Sequence, residues 1–184
     1  MCMPIEIRLL EQEHIDRLME IETLSFPEGI CEDASVYERR IQVWHQGNLG
    51  FFNGRTLLGF LCCELWEFQK SYDLARFSLS HDPNSYHRPS GSELYISSFA
   101  LDPKYRHLLR GKTAFSLGME YLGLSQSFSS AILLVSDEWE AAKRIYRDYG
   151  FIEIRRLRQF FGNTDAVVMR TVFDSSIIGI PKNT

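Results

Sequence analysis

The chain has 184 residues and a formal net charge of −4, with 45% hydrophobic and 24% charged residues. This balance is typical of a globular domain and argues against disorder, collagen or coiled coil as the main architecture. No apolar run approaches the roughly 18 residues that cross a bilayer, and the N-terminus does not resemble a signal peptide. The four cysteines form neither a C-x-x-C pair nor a disulfide framework, so we expect a reduced, cytoplasmic protein with no membrane partner.

The charges are unevenly divided along the chain. Residues 1–103 carry 16 acidic and 8 basic side chains, whereas residues 104–184 carry 8 acidic and 12 basic ones. Chance and solubility are the simplest interpretation of this imbalance. The alternative is two sites of opposite preference, one for a cation and one for an anion.

Sequence periodicity predicts the elements of the first half. Residues 5–9 alternate as a half-buried strand, and residues 12–23 have the spacing of a helix. A second helix follows, for which Ser35 and Glu38 predict a capping box. Asn53-Gly54 lies between two apolar runs and therefore predicts a β-hairpin.

Residues 67–92 interrupt this regularity and are rich in Ser, Pro, His and Tyr. We expect a long loop insertion here, with a short helix near 72–77. The remaining elements are predicted as strand 94–101, helix 112–124, strand 131–135, helix 138–149 and strands 151–161 and 166–173. The order β-α-α-β-β-β-α-β-α-β-β predicts an α/β fold with a mixed sheet and helices on its faces. One domain is expected over residues 1–174, with an irregular tail over 175–184.

A cluster of cations lies between the fourth strand and the helix that follows it. The segment reads Asp102-Pro-Lys-Tyr-Arg-His-Leu-Leu-Arg-Gly-Lys112. A helix N-terminus presents unpaired N–H groups and the positive end of a dipole, and both favour phosphate. A solvated basic turn and a phosphate site are therefore both open interpretations of this segment.

This segment resembles the acyl-CoA loop P-x-x-[RQ]-x-x-G-x-[GA] of the GNAT N-acetyltransferases, through Pro103, Arg106 and Gly111. Downstream, Glu140-Ala-Ala-Lys-Arg-Ile-Tyr-Arg-Asp-Tyr-Gly-Phe151 resembles the second motif of that family, A-x-x-x-Y-x-x-x-G-F. The element order extends the resemblance over nearly the whole chain. The sequence departs from the family at Leu109, which stands where a glycine is usual. Either the loop is reshaped there, or CoA binds weakly.

The resemblance implies a GNAT-like domain with a mixed, mostly antiparallel sheet flanked by helices. It implies direct transfer of an acetyl group from acetyl-CoA, the co-substrate, to a primary amine in a ternary complex. Tyr146 matches the family's general acid, and a tyrosine is protonated at neutral pH; packing on Ala142 is the alternative role. The expected acetyl-CoA contacts are Phe99, Ala100, Leu101, Arg106, His107, Leu108, Leu109, Arg110, Gly111 and Lys112.

The base that deprotonates the acceptor amine is less clearly indicated. Glu93 and Tyr95, at the start of the fourth strand, are the candidates, acting directly or through water. His81 and His87 in the long loop are further candidates, although loop histidines are often simply solvated. Neither these histidines nor the cysteines have the spacing of a metal site.

Acceptor binding is expected from the acidic N-terminal half. From Glu11 to Glu38 there are nine acids and one base, and acids such as Glu22 and Glu28 attract a cationic amine. A solvated acidic helix face is the alternative. Aromatic residues add either a pocket for an aryl or alkyl amine or part of the core. The predicted substrate contacts are Phe26, Glu28 and Tyr37.

The acceptor is expected to be a small molecule, because residues 67–92 are long enough to cover a pocket. Ser25-Phe26 and residues 65–88 resemble the arylalkylamine N-acetyltransferases, but Tyr95 and Ser97 stand where those enzymes have two histidines. A protein N-terminal or lysine acetyltransferase is the rival enzyme, and a non-catalytic acyl-CoA-binding or regulatory module is the rival class. No nucleic-acid surface is indicated. The family resemblance also implies a homodimer.

Overall fold

A computed structural model describes residues 4–173. The predicted tail over 175–184 lies outside these residues. The strands are β1 (Ile5–Leu9), β2 (Asn48–Asn53), β3 (Thr56–Trp66), β4 (Glu93–Leu101), β5 (Ser130–Ser136), β6 (Ile152–Phe161) and β7 (Thr164–Val172). The helices are α1 (Ile15–Ser25), α2 (Ala34–Val43), α3 (Pro83–Tyr86), α4 (Gly111–Ser125) and α5 (Glu140–Tyr149). None of the helices in 4–173 combines the length and apolarity needed to cross a bilayer.

The strands form a seven-stranded sheet in the order β1-β2-β3-β4-β5-β7-β6. The β4–β5 pair is parallel and the other neighbours are antiparallel. The predicted mixed, mostly antiparallel α/β sheet is therefore confirmed, together with the predicted order of the elements. Two apolar clusters cover the faces of the sheet, one under α4 and α5 and one under α1 and α2.

Two local predictions have different outcomes. The hairpin at Asn53-Gly54 is confirmed, because Asn53 pairs with Thr56 and Gly54 has a φ of +59° that suits glycine. The predicted capping box of α2 is wrong, since the helix begins two residues earlier, with Asp33 as its N-cap, and Ser35 lies exposed within the first turn. Sequence alone did not resolve which of several polar residues ends the preceding loop.

The insertion over residues 67–92 is a packed segment attached to the sheet. Tyr72 and Phe77 form an aromatic cluster with Trp66 of β3 and Tyr95 of β4. The predicted short helix is a single 3₁₀ turn over Leu74–Phe77, and α3 adds one further helical turn. Apolar burial therefore holds this segment beside the amino end of β4 and the carboxyl end of β3.

Candidate active site

A cleft opens between β4 and β5 where the two parallel strands separate. Their pairing runs from Glu93 and Ser130 to Ile96 and Leu133, although both strands continue further. On the opposite side of β4, the register with β3 shifts at Ser97, which is the extra residue of a β-bulge. A bulge bends a strand and increases its twist, so β4 turns away from β5 and leaves main-chain groups of both strands facing the gap.

A cavity of about 610 Å³ occupies this cleft. Its lining combines β4, β5, the start of α5, the loop before α4 and the connections that precede α2 and follow β3. Several of the predicted site residues meet there: Phe26, Tyr95, Phe99, Ala100, Leu101, Arg106, Gly111 and Tyr146. The strand–turn–helix segment and the second sequence motif therefore face one cavity.

Tyr146 lies at the α5 wall of the cavity. Gly150 caps the end of α5, and its φ of +110° turns the chain towards β6. This left-handed conformation explains why the motif has a glycine before its final phenylalanine. The Tyr146 ring packs against Phe115, with 5.1 Å between ring centroids, and is 7% exposed. Burial raises the pKa of Tyr146 above its ordinary value. The hydroxyl group therefore keeps its proton at neutral pH, which is the protonation state that a proton donor needs.

The loop before α4 is reshaped around Leu109. The side chain of Leu109 is 4% exposed and belongs to the core cluster under α4, and its φ is not positive. The amide groups of Leu108 and Leu109 both donate to the carbonyl oxygen of Tyr105. Leu109 therefore has no left-handed backbone that would require glycine, but the amides of Leu108 and Leu109 are already engaged.

The remaining loop residues are divided between cavity and surface. Gly111 packs so closely on Ile145 that a Cβ would lie 2.7 Å from its Cδ1 atom. Lys112 extends away and pairs with Asp148 at 2.9 Å. His107, Leu108, Leu109, Arg110 and Lys112 are not among the residues that line the cavity. The first amide groups of α4 have no intrahelical acceptor, as at every helix start.

Glu93, a predicted base, lies outside the cavity and is fully buried. Its carboxylate accepts hydrogen bonds from Arg170 Nη2 at 3.0 Å, Ser130 Oγ at 2.9 Å and Tyr72 Oη. This group joins the insertion to β5 and β7, and the geometry does not support the predicted role of Glu93 as base. Tyr95 lines the cavity and stacks on Trp66, with 3.9 Å between centroids.

The two loop histidines are buried rather than solvated. His81 Nε2 lies 2.7 Å from Glu64 Oε1, and its Nδ1 lies 3.3 Å from the carbonyl oxygen of Ser78. Burial raises the pKa of Glu64, but the interactions with His81, Arg40 and Trp66 together outweigh this and lower it. His87 Nδ1 accepts the amide proton of Leu65 at 3.2 Å. Both histidines thus attach the insertion to β3.

Aromatic rings line the end of the cavity near the carboxyl end of α1, which is called the acceptor end below. Phe26 follows α1, Trp139 precedes α5, and their ring centroids are 5.4 Å apart. Trp139 also stacks against Phe161 of β6 at 6.4 Å. Phe77 and Leu79 of the insertion complete this apolar wall. Of the predicted substrate residues, Phe26 lies here, Glu28 is exposed outside the cavity, and Tyr37 is buried behind it.

Two carboxylates reach the same end of the cavity. Glu22 is 1% exposed and lines the cavity together with Glu32. Glu22 Oε1 accepts the amide proton of Glu32 at 3.0 Å, and its Oε2 accepts the hydroxyl proton of Tyr37 at 2.7 Å. Sequence reasoning counted Glu22 only as one of several acids. The available signal was its helical spacing with buried Ile15 and Leu18, since an acid on an apolar helix face is uncommon.

Comparison with known proteins identifies the fold. No protein-family model and no curated protein matches the sequence. Among solved structures, the loading GNATL domain of CurA from Lyngbya majuscula has a TM-score of 0.78 at 13% identity, covering 92% of this chain and 98% of that one. The GNAT-like decarboxylase GphF, in complex with isobutyryl-CoA, has a TM-score of 0.73 at 14% identity, covering 92% and 100%.

Arabidopsis thaliana Naa50, in complex with the bisubstrate analogue CoA-Ac-MVNAL, has a TM-score of 0.67 at 15% identity, covering 92% of this chain and 99% of that one. The chain therefore has the GNAT fold over nearly its whole length. These three proteins are described by different activities, so structural similarity identifies only the architecture. The reaction of this chain has to be inferred from the residues of its cavity.

Proposed function

We propose that this protein transfers an acetyl group from acetyl-CoA to the primary amine of a small molecule, by direct attack in a ternary complex. The observation that carries the proposal is the cleft between β4 and β5, where the main chain of β4 and the Tyr146 side chain line one cavity. An extended thioester arm fits between separated strands, because their main-chain groups are available to pair with its amides.

The CoA end of the site is proposed at the start of α4. Arg106 and Gly111 line the cavity there, and the helix amides that lack an intrahelical acceptor suit a pyrophosphate. Arg110 and Lys112 add positive charge nearby. Main-chain N–H groups of Phe99 to Leu101 would polarise the thioester carbonyl and stabilise the developing oxyanion.

The proposed reaction needs three proton transfers. The acceptor ammonium loses a proton, and the free amine attacks the thioester carbon, so that a C–N bond forms. The C–S bond then breaks, and the leaving thiolate takes the phenolic proton of Tyr146. Tyr146 regains a proton from the nitrogen of the tetrahedral intermediate as the amide forms. The products are the acetylated amine, CoA and one released proton.

The aromatic acceptor end favours a small amine over a polypeptide. Phe26 and Trp139 line the cavity and contact each other, which narrows the space available to a peptide. Carboxylates and aromatic faces together suit an ammonium group on an aryl or alkyl body. A protein N-terminus or lysine is the rival acceptor.

The test is CoA release from acetyl-CoA by the purified protein with a panel of aryl, alkyl and polar amines, and with peptides in parallel. We expect turnover with apolar primary amines and none with peptides. Turnover with peptides alone would transfer the proposal to the rival acceptor. Acetyl-CoA binding without turnover on any amine would favour a non-catalytic acyl-CoA-binding module.

Two further expectations belong to this proposal. The described cysteines, Cys31, Cys62 and Cys63, are free thiols, which fits the proposed cytoplasmic location.

Homodimer formation is proposed through the edge strand β6, on which Ile152 and Ile154 are exposed. Light scattering of the purified protein measures that state directly.

A further inference from the structure

The carboxylate of Glu22 is directed to the acceptor end of the cavity from the last turns of α1. Its hydrogen-bond donors among the described residues are neutral: the amide of Glu32 and the hydroxyl of Tyr37. Glu32 differs, because Arg40 Nη2 donates to its Oε1 atom at 3.0 Å and Ser80 N donates to its Oε2 atom at 2.8 Å. Of the two carboxylates, Glu22 is thus the one without a directly bonded cation.

Burial raises the pKa of Glu22, partly opposed by its two hydrogen bonds and by the charge of Arg40. A carboxylate with a raised pKa is a better proton acceptor than an ordinary one. The neutral groups facing it from α2, β3 and the connecting loop keep their own protons near neutral pH. Burial raises the pKa values of all three neutral ones, Cys31, Tyr37 and Cys62, and the charged ones are Glu32 and Arg40.

We propose that Glu22 accepts the proton that the acceptor ammonium group must lose before its nitrogen attacks, and that Tyr37 is the positioning residue for this carboxylate. The N–H bond of the ammonium breaks and an O–H bond forms on Glu22. The amine keeps its electron pair for attack, and Glu22 releases the proton to solvent after turnover. The inference rests on the proposed function and assigns its base.

The position of Tyr37 connects the base to the reacting strand. Tyr37 Oη lies 2.7 Å from Glu22 Oε2 and 3.2 Å from Ser98 Oγ. Ser98 lies on β4 beside Phe99, at the wall of the same cavity. The carboxylate is therefore oriented relative to the strand that is proposed to hold the thioester.

The test is kcat/KM against pH for wild type, Glu22→Gln and Tyr37→Phe, using a primary amine that the wild type acetylates. Glu22→Gln is expected to lose about 100-fold at pH 7 and to recover as the pH approaches the pKa of the amine, where free amine is already present. Glu20→Gln, an exposed acid of the same helix, is the matched control and should behave as wild type.

Tyr37→Phe removes a donor to the charged carboxylate, so the acid limb of its profile should move up by about one pH unit. A structural role alone would lower the rate without moving this limb. Thermal unfolding and acetyl-CoA affinity should be close to wild type in both variants.

These experiments distinguish a failure of the proposed function from a failure of the role assigned to Glu22. If the wild type acetylates no amine, the proposed function fails. If the wild type is active, equal profiles for Glu22→Gln and wild type overturn the assignment of Glu22 alone. An unshifted acid limb in Tyr37→Phe overturns the positioning role.

Discussion

Tyr146 combines an aromatic body in the core with a hydroxyl group at the cavity. Tyr146→Phe keeps the ring that packs on Phe115 and removes only the proposed acid. We expect kcat to fall about 100-fold with unchanged affinity for acetyl-CoA, measured by steady-state kinetics and calorimetry. Tyr149→Phe, on the same helix and also packed on Phe115, is the matched control. Equal kcat values for Tyr146→Phe and wild type would remove the acid from the mechanism.

The buried pair of Glu64 and His81 attaches the insertion to β3. Glu64→Gln leaves a partner of that pair uncompensated, and we expect a loss of about 3 kcal/mol in the free energy of unfolding. The exposed neighbour Glu67 provides the control variant Glu67→Gln, which should change stability by less than about 0.5 kcal/mol. Denaturant unfolding at pH 7 measures both.

The same pair gives a pH dependence. The folded-state pKa of Glu64 lies below its ordinary value of 4.5, so the stabilisation is present above that value. It is lost as the pH falls through the folded pKa. Wild type should therefore lose stability on acidification more steeply than Glu64→Gln. Parallel stability curves for the two proteins would contradict this account.

Sequence reasoning reached some of these residues and missed others for a physical reason. Tyr146 was predictable because its motif is local in sequence. The motif also contains Gly150, whose positive φ at the end of α5 favours glycine. Glu22 and His81 depend on contacts between segments distant in sequence. The sequence does not distinguish an exposed glutamate from a buried one. The burial of Glu22 depends on the packing of α1 against β4.

The loop before α4 is stabilised by the packing of one leucine. Leu109 stands in place of a glycine, yet its side chain is part of the core. Leu109→Ala should therefore lose about 3 kcal/mol of stability without a gain in acetyl-CoA affinity. Leu108→Ala, at a position that is 38% exposed, is the control. Tighter acetyl-CoA binding by Leu109→Ala would indicate that the leucine obstructs the site.

The connections at the acceptor end should set substrate size. Trp139→Ala removes the ring that contacts both Phe26 and Phe161. We expect the ratio of kcat/KM for a bulky amine to that for a small amine to rise roughly tenfold. The affinity for acetyl-CoA should stay the same. An unchanged ratio would mean that these rings do not close the acceptor pocket.

The elements themselves were largely predictable because periodicity and turn residues are local signals. The alternation in β1 and the Asn-Gly hairpin are examples. The insertion was not predictable in detail, because its conformation depends on Trp66 and Tyr95, which belong to other elements. The same limit applies to the cleft, which arises from a bulge at Ser97 and not from any residue type.

Across the whole molecule, the uneven division of charge has two components: some of the acids are exposed to solvent, and others line the cavity. Asp16 and Glu20 of α1 are exposed to solvent, but Glu22 and Glu32 face the cavity. Arg106 of the basic half faces the same cavity from the other direction. The fold thus brings acidic residues of one half and a basic residue of the other to one cleft, as the proposal of two sites of opposite preference requires.

The most direct test of the account is calorimetric titration of the purified protein with acetyl-CoA, beside CoA, ATP and NAD. The account predicts micromolar binding of acetyl-CoA and CoA, corresponding to about −8 kcal/mol, and much weaker binding of ATP and NAD. The absence of acetyl-CoA binding at millimolar concentration would contradict it, because the cleft would then lack the co-substrate on which the proposed reaction depends.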